Sequence, residues 1–310
     1  MKLALFVGLG IITVLYLAVL ARAVIGARRA RPDGGPRVSP TPFEVVLGFV
    51  TAFFDTLGIG SYAPTTAVLK LRRLVADEKI PGTLNVGHTL ATVTQAFIFI
   101  AVVTVELKTL VLMIVAACLG SWLGAGMVAK ASRRMIQIAM GLALLVAATL
   151  FLMKIFEVLP SSGDTQGLAG WKLGAGLAGN FLLGALMEVG VGLYGPCMIL
   201  CSLLGMNPTT AFPIMMGSCA FLMPVGTFKF VKSGRYSLRT TLGLALGGVP
   251  AVLIAALIVK SLPLTAMRWL VVVVVLYAAV SMLRSAMREA KTAATTESAT
   301  APAPKAALAE

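Results

Sequence analysis

The sequence predicts an all-α integral membrane protein with two inverted structural repeats, each a broken re-entrant helical hairpin plus three transmembrane helices, preceded by one extra N-terminal helix. Of the 310 residues, 58% are hydrophobic and only 12% are charged, whereas soluble domains carry about 25% charged residues. Apolar runs of about 20 residues, long enough to cross a bilayer, recur along the chain. One glycine-rich motif occurs twice, each time inside an apolar run.

The first apolar run, Leu3–Val24, predicts a transmembrane helix over residues 1–25. A cleaved signal peptide is the alternative, since small residues surround Ala21. Lys2 is the only basic residue before the run, whereas several arginines follow it. This distribution of charge favours a retained helix with its N-terminus outside. A basic cytoplasmic linker is predicted over residues 26–42.

The first repeat is predicted over residues 43–156. Its opening stretch starts at Phe43, is broken by Gly58-Ile59-Gly60-Ser61-Tyr62-Ala63-Pro64, and continues as a short helix to about Leu74. Three spans follow at Leu84–Val105, Leu107–Ala129 and Met135–Phe156. A polar loop over residues 157–170 is assigned to the outside.

The second repeat is predicted over residues 171–285. It opens with Trp171–Leu193, is broken by Gly190-Val191-Gly192-Leu193-Tyr194-Gly195-Pro196, and continues to about Leu204. Spans follow at Ala211–Phe228, Leu238–Val259 and Leu264–Leu283. The Ala/Thr/Pro-rich tail, residues 286–310, is predicted to be disordered and cytoplasmic.

The distribution of basic residues predicts the topology. Placing the basic connectors inside requires each broken element to return to the side from which it came. The two hairpins then open to opposite faces, as in the inverted repeats of secondary transporters. If the broken elements crossed the membrane completely, one basic cluster would lie outside.

The two breaks are the strongest functional signal. Non-helical backbone survives at membrane depth only against protein or a wet cavity, and each break ends in a proline suited to the first turn of a new helix. Two half-helix N-termini would therefore meet near the midplane and offer N–H donors to an anion. Simple kinks with close glycine packing are the alternative. The candidate substrate-binding residues are Gly58, Gly60, Ser61, Tyr62, Thr65, Thr66, Gly190, Gly192, Tyr194 and Cys197.

Charged groups at membrane depth are treated as functional candidates. Asp55 and Glu188 precede the two breaks, and His88 is the only histidine; these three are candidates for proton coupling or gating. Asn85, Gln95 and Asn180 are candidate supporting polar residues. Alternatively, Asn85 caps its helix and His88 bonds a carbonyl near the cytoplasmic surface.

Several other functions are excluded by the sequence. The net charge of +14 comes from short connectors without a nucleic-acid-binding motif. The four cysteines lie in apolar runs, and no second Cys or His pair completes a metal site. No enzyme constellation and no cofactor motif is present, so neither a metal nor a cofactor is expected.

The motifs also resemble a known family. The run Asp55-Thr-Leu-Gly-Ile-Gly-Ser-Tyr-Ala-Pro-Thr-Thr and the run Ile80-Pro-Gly-Thr-Leu-Asn-Val-Gly-His-Thr are its most specific part. Together with the second break, they make Phe43–Leu283 similar to the TauE/SafE (TSUP) sulfite exporter family of bacterial anion permeases. The resemblance implies a multi-pass protein of the inner membrane that moves sulfite, sulfoacetate or another organosulfonate.

The sequence and the resemblance together predict a secondary transporter, an exporter or permease, for a small sulfur-containing anion. Its expected partners are that anion and the lipid bilayer. A homodimer is compatible with this prediction, and nucleic acid is not expected as a partner. A passive anion channel is one alternative, which would show a longer, continuously hydrated pore. A membrane-embedded enzyme or redox carrier is another, but it would need clustered His or Cys ligands.

Overall fold

A computed structural model describes most of the chain as helices. The described residues are 2–29, 38–58, 60–128, 130–156, 158, 163–190 and 192–258, with the single residues 276, 280, 283, 284 and 287. Their α-helices are α1 Lys2–Arg29, α2 Pro42–Thr56, α3 Tyr62–Leu71, α4 Ile80–Val102, α5 Leu107–Val128, α6 Arg133–Ile155, α7 Gly170–Met187, α8 Tyr194–Leu203, α9 Pro208–Ser233 and α10 Leu238–Ile258. The predicted span Leu264–Leu283 and the predicted tail lie outside the described residues, apart from those single positions.

Five of these helices are long and apolar enough to cross a membrane: Lys2–Arg29, Asp77–Val102, Leu107–Val128, Thr209–Ser233 and Leu238–Leu257. The prediction of an all-helical, multi-pass membrane protein is therefore confirmed. The predicted helix bounds agree with the structure to within a few residues. Helices α1 and α9 each run five residues beyond their predicted ends at Val24 and Phe228. Gly234 ends α9 in the left-handed conformation, with φ of 68°.

Local capping explains where several helices begin. The Thr41 hydroxyl accepts a hydrogen bond from the Glu44 N–H, and the Glu44 carboxylate accepts one from the Thr41 N–H, which forms a capping box at α2. At the start of α9 the Asn207 Oδ1 accepts a hydrogen bond from the Thr209 N–H, and Pro208 occupies the first turn. These devices satisfy N–H groups that no helical carbonyl can reach.

The first broken element folds back on itself. Helix α2 has 15 residues and α3 has 10, so the two are about 22 Å and 15 Å long. Each is too short for a hydrocarbon core of about 30 Å. The Arg72 guanidinium at the end of α3 lies 5.0 Å from the ring centroid of Phe43 at the start of α2. The end of α3 thus returns to the start of α2.

The second broken element does the same. Gly205, just after α8, lies beside Lys172 in the first turn of α7, since a Cβ at Gly205 would be 3.3 Å from the Lys172 Nζ. One turn further along, a Cβ at Gly176 would be 3.3 Å from the Leu204 side chain. The end of α8 therefore lies against the start of α7.

The helix ends gather into two layers. One layer, called the basic end below, holds the starts of α2, α4, α6 and α10 and the ends of α3, α5 and α9. It is joined by the ion pairs Arg239–Glu44 (3.1 Å) and Lys70–Asp77 (2.6 Å) and by the bond from Gln137 to Asp77 (2.8 Å). The other layer, called the opposite end, holds the starts of α1, α5, α7 and α9 and the ends of α4 and α8. Its contacts include Glu106 N–H to the Gln166 carbonyl and Asn207 N–H to the Thr165 carbonyl, at 2.8 and 2.9 Å.

Glycines let the helices pack backbone to backbone. Helix α2 packs mainly on α10, and α7 packs mainly on α5, while α4 and α9 cross between them. A Cβ at Gly247 of α10 would lie 1.9 Å from the Val45 carbonyl oxygen of α2. A Cβ at Gly120 of α5 would likewise lie 1.9 Å from the Phe181 carbonyl oxygen of α7. Both contacts come from a Gly-x-x-x-Gly pair, Gly243/Gly247 and Gly120/Gly124.

Candidate functional site

The two breaks have the same local hydrogen-bond pattern. The Gly58 N–H donates to the Asp55 carbonyl and the Gly190 N–H to the Met187 carbonyl, both at 2.9 Å. The half-helices then start with Thr65 N–H to the Ser61 carbonyl and Cys197 N–H to the Leu193 carbonyl, at 3.0 and 2.9 Å.

Positive φ angles explain why glycine occupies three of the break positions. They are 82° at Gly58, 89° at Gly60 and 103° at Gly190, values that an L side chain rarely adopts. A Cβ at Gly60 would meet nothing within 4 Å, whereas one at Gly192 would touch the Tyr62 Cβ at 3.5 Å. The two breaks are therefore in contact, with open space beside Gly60.

Three polar atoms beside the start of α3 have no hydrogen-bond partner among the described residues. They are the Tyr62 hydroxyl, the Thr66 hydroxyl and the Nδ1 of His88, all buried. Tyr62 and Thr66 are one helical turn apart, so they share a face of α3. The rings of Tyr62 and His88 lie 6.1 Å apart, and the His88 Nε2 is 3.1 Å from the Thr65 hydroxyl. A buried polar group without a partner costs free energy, so these three atoms are candidates for contact with a ligand.

Asp55 lies at the tip of the first hairpin. Its carboxylate accepts hydrogen bonds from the backbone and the side chain of Ser61 and from the Gln95 Nε2 at 2.9 Å. Gln95 also bonds the Thr56 hydroxyl at 3.0 Å, and its Oε1 accepts a hydrogen bond from the Tyr194 hydroxyl. Asp55 thus closes the first break and connects it, through Gln95, to the second half-helix.

Glu188 lies at the tip of the second hairpin and is fully buried. Its carboxylate accepts hydrogen bonds from the Ser121 hydroxyl at 2.6 Å and from the Asn85 amide at 3.2 and 3.3 Å. The Thr227 hydroxyl donates to the Asn85 Oδ1 at 3.1 Å, which turns the amide nitrogen toward Glu188. A Cβ at Gly226 would lie 2.5 Å from the Glu188 Oε2, so glycine leaves room for the carboxylate.

One face of α4 connects Glu188, the unpartnered atoms beside α3, and Asp55. Asn85, His88 and Gln95 are separated by three and then seven residues, which places them on the same side of a helix. Asn85 contacts Glu188, His88 lies beside the unpartnered hydroxyls, and Gln95 contacts Asp55. From Asn85 to Gln95 the helix rises by about 15 Å. Because α4 starts at the basic end, Glu188 lies nearer that end and Asp55 nearer the opposite end.

Two predicted site residues lie apart from this cluster. The Asn180 amide donates to the Met113 carbonyl at 2.7 Å and to the Ser218 hydroxyl at 2.9 Å, so it joins α7 to α5 and α9. Cys197 is buried on α8, where its thiol contacts that of Cys201. Neither residue contacts the unpartnered hydroxyls of α3.

The alternative reading of Asn85 as a helix cap is wrong. Helix α4 begins at Ile80, with Pro81 in its first turn and Lys79 as the capping residue, so Asn85 lies in the second turn and bonds Glu188. His88 bonds the Thr65 hydroxyl rather than a carbonyl near the surface.

Sequence reasoning missed Ser121 and Thr227, the hydroxyls around Glu188. The available signal was a polar residue inside an apolar span, but single Ser and Thr residues are common there because they bond their own helix. Among the described residues, no group of three or more His, Cys, Asp or Glu side chains could hold a metal ion.

Comparison with known proteins finds one family model that matches part of the chain. The model of the sulfite exporter TauE/SafE family matches residues 172–309, which confirms the resemblance over the second half of the chain. The match includes α7, the second break and α8 to α10, and it extends beyond Leu283, where we expected the resemblance to end. It leaves out both runs that form the most specific part of the resemblance, Asp55–Thr66 and Ile80–Thr89. No curated protein and no solved structure matches the chain.

Proposed function

We propose that this protein is a secondary transporter for a small sulfur-containing anion such as sulfite or an organosulfonate. The observation that carries the proposal is the cluster of unpartnered polar atoms of Tyr62, Thr66 and His88 beside the start of α3. The TauE/SafE family is a transporter family, and its model matches the second half of the chain. A sulfonate or sulfite offers three oxygens of the kind that such donors can bind.

The backbone adds further donors to the proposed site. The first N–H groups of a helix have no helical partner and carry the positive end of its dipole. Ser61 makes no side-chain cap at α3, and Leu193 makes none at α8. The contact between Gly192 and Tyr62 brings the two half-helix starts together. In this proposal, an anion at the start of α3 binds the free N–H groups, the hydroxyls of Tyr62 and Thr66 and the imidazole of His88.

The tautomer of His88 determines whether Nδ1 donates or accepts a hydrogen bond. If the Thr65 hydroxyl donates to Nε2, the neutral ring carries its proton on Nδ1. Nδ1 is the unpartnered nitrogen, so it would donate to the anion. His88 then binds the anion as a neutral donor.

We further propose that the chain consists of two inverted repeats. The first hairpin opens at the basic end and the second at the opposite end, as the Phe43–Arg72 and Lys172–Gly205 contacts indicate. Exchanging the halves maps the pairing of α2 with α10 onto that of α7 with α5. It also maps one break onto the other, bond for bond.

The orientation follows from charge. The basic end carries most connector cations (Lys70, Arg72, Arg73, Lys79, Lys130, Arg134, Lys232, Arg235 and Arg239), so we assign it to the cytoplasmic side of a bacterial inner membrane. Lys2 donates to the Ala101 carbonyl at the opposite end, which supports an N-terminus on the outside in this assignment. Transport would then occur by alternating access to the shared site from either end.

The test is flux into proteoliposomes that contain the purified protein. Sulfite, thiosulfate and sulfoacetate are compared with acetate and succinate as carboxylate controls. We expect saturable uptake of at least one sulfur-containing anion and weak uptake of the carboxylates. Equal, unsaturable flux of all the anions would indicate a passive channel, and no flux of any anion would refute the proposal.

A further inference from the structure

Two buried carboxylates flank the proposed anion site on opposite sides. Along α4, Asn85 marks the level of Glu188, His88 the level of the site, and Gln95 the level of Asp55. Both carboxylates are at most 4% exposed. An anion that leaves the site along α4 toward either end therefore crosses the level of one of them.

Among the described residues, no cation forms an ion pair with either carboxylate. Their hydrogen-bond donors are uncharged: Ser121 and Asn85 for Glu188, Ser61 and Gln95 for Asp55. No salt bridge to either is formed within the described parts of the chain.

Few titratable groups of the described residues face the carboxylates. Lys229, Tyr62 and Cys219 face Glu188, while Tyr62, Tyr194 and Cys219 face Asp55. Lys229 is held elsewhere, because its ammonium donates to the Trp122 carbonyl and lies 4.7 Å from the centre of the Trp122 ring.

Like charges repel strongly where the dielectric constant is low. An ionised carboxylate on either side would thus oppose the passage of an anion, whereas a protonated one would not. We propose that Glu188 and Asp55 are two proton-binding gates of the anion site. Glu188 controls exchange with the basic end, and Asp55 controls exchange with the opposite end. Each carboxylate takes one proton from the water on its own side when that side opens, and it releases the proton there when it ionises again.

The inference deepens the proposed function and rests on its anion site. It predicts that the pH dependence of transport is sided. Flux should rise as the pH falls on either side, by up to about tenfold per pH unit, as one bound proton requires. Glu188→Gln, which imitates the protonated acid, should abolish the dependence on the pH at the basic end and leave the other dependence intact. Asp55→Asn should do the reverse.

The experiment uses proteoliposomes of determined orientation, with the internal and external pH varied separately. The probe is radiolabelled sulfoacetate, because its charge is constant through the neutral range, whereas sulfite takes up a proton there. If sulfoacetate is not transported, sulfite replaces it, and two pH series are measured, one at constant dianion concentration and one at constant monoanion concentration. Glu44→Gln is the matched control: Glu44 is a buried carboxylate at the basic end that bonds Arg239 and Thr240, and its loss should leave both pH profiles unchanged.

The inference is overturned if each single variant keeps both pH dependences, or if the two variants lose the dependence on the same side. Should Glu188→Gln fail to fold, Ser121→Ala provides the second test. The ionised Glu188 then loses a donor, so the midpoint for the basic end should move to higher pH while the other midpoint stays; an unmoved midpoint overturns the inference. Transport by the wild type without any pH dependence would refute the gates alone, whereas a wild type that transports no anion would refute the proposed function.

Discussion

Replacing Tyr62 with phenylalanine removes one oxygen atom from the proposed anion site and leaves the shape of the side chain intact. The Tyr62 hydroxyl is buried and bonds nothing in the described part of the chain. Its removal therefore leaves no other group without a partner, and the free energy of unfolding of the anion-free protein should be unchanged or slightly higher. If the hydroxyl donates to a bound anion, about 1.5–3 kcal/mol of binding free energy is lost, which weakens the affinity by about 10- to 150-fold. Thr66→Val should behave in the same way.

Tyr194→Phe is the informative contrast, since Tyr194 already donates to the Gln95 Oε1. Removing this hydroxyl leaves the Gln95 oxygen without a donor inside the network that holds Asp55, so we expect a loss of about 1–3 kcal/mol of stability. Thermal unfolding in detergent, with and without sulfoacetate or sulfite, measures the stability, and calorimetric titration measures the affinity. The reasoning is refuted if Tyr62→Phe lowers stability and binds the anion as tightly as the wild type.

Two further predictions concern packing and topology. Gly247→Ala and Gly120→Ala would each place a methyl group 1.9 Å from a carbonyl oxygen of the neighbouring helix. Each should lower the free energy of unfolding, measured in detergent, by at least about 1–3 kcal/mol. Gly174→Ala is the control, since its methyl group would meet no described atom within 4 Å, and it should leave the stability unchanged. In a cysteine-free background, exposed cysteines at Ala76 and Gln166 should react with an impermeant reagent from opposite faces of the membrane; reaction from one face would contradict the inverted repeats.

The positions of the breaks could be predicted because glycine and proline constrain the backbone directly. Gly58, Gly60 and Gly190 adopt positive φ angles, and Tyr62 and Tyr194 each start a short helix. Apolar length likewise predicted the spans, since a bilayer requires a minimum number of residues. These properties are local, so they can be predicted from the residues at each position of a single sequence.

The partners of the buried carboxylates could not be predicted in this way. Ser121 reaches Glu188 only because Gly120 and Gly124 bring α5 against the backbone of α7. That approach depends on the register of two helices that are far apart in sequence. Asp55 and Glu188 precede their breaks by three and two residues, yet they occupy opposite sides of the site because their hairpins enter from opposite ends.

The polar face of α4 depends both on local sequence spacing and on contacts between helices that are distant in sequence. The spacing of Asn85, His88 and Gln95 places the three residues on one face, and a polar face on a helix at membrane depth has to find partners in protein or water. The sequence does not state which partner each residue finds. The structure shows the partners: Glu188 and Asp55, at the tips of the two hairpins, lie at the two ends of this face and accept hydrogen bonds from Asn85 and Gln95. His88, between them, has one nitrogen that finds no partner among the described residues, so the middle of this face is where an anion would complete the hydrogen bonding.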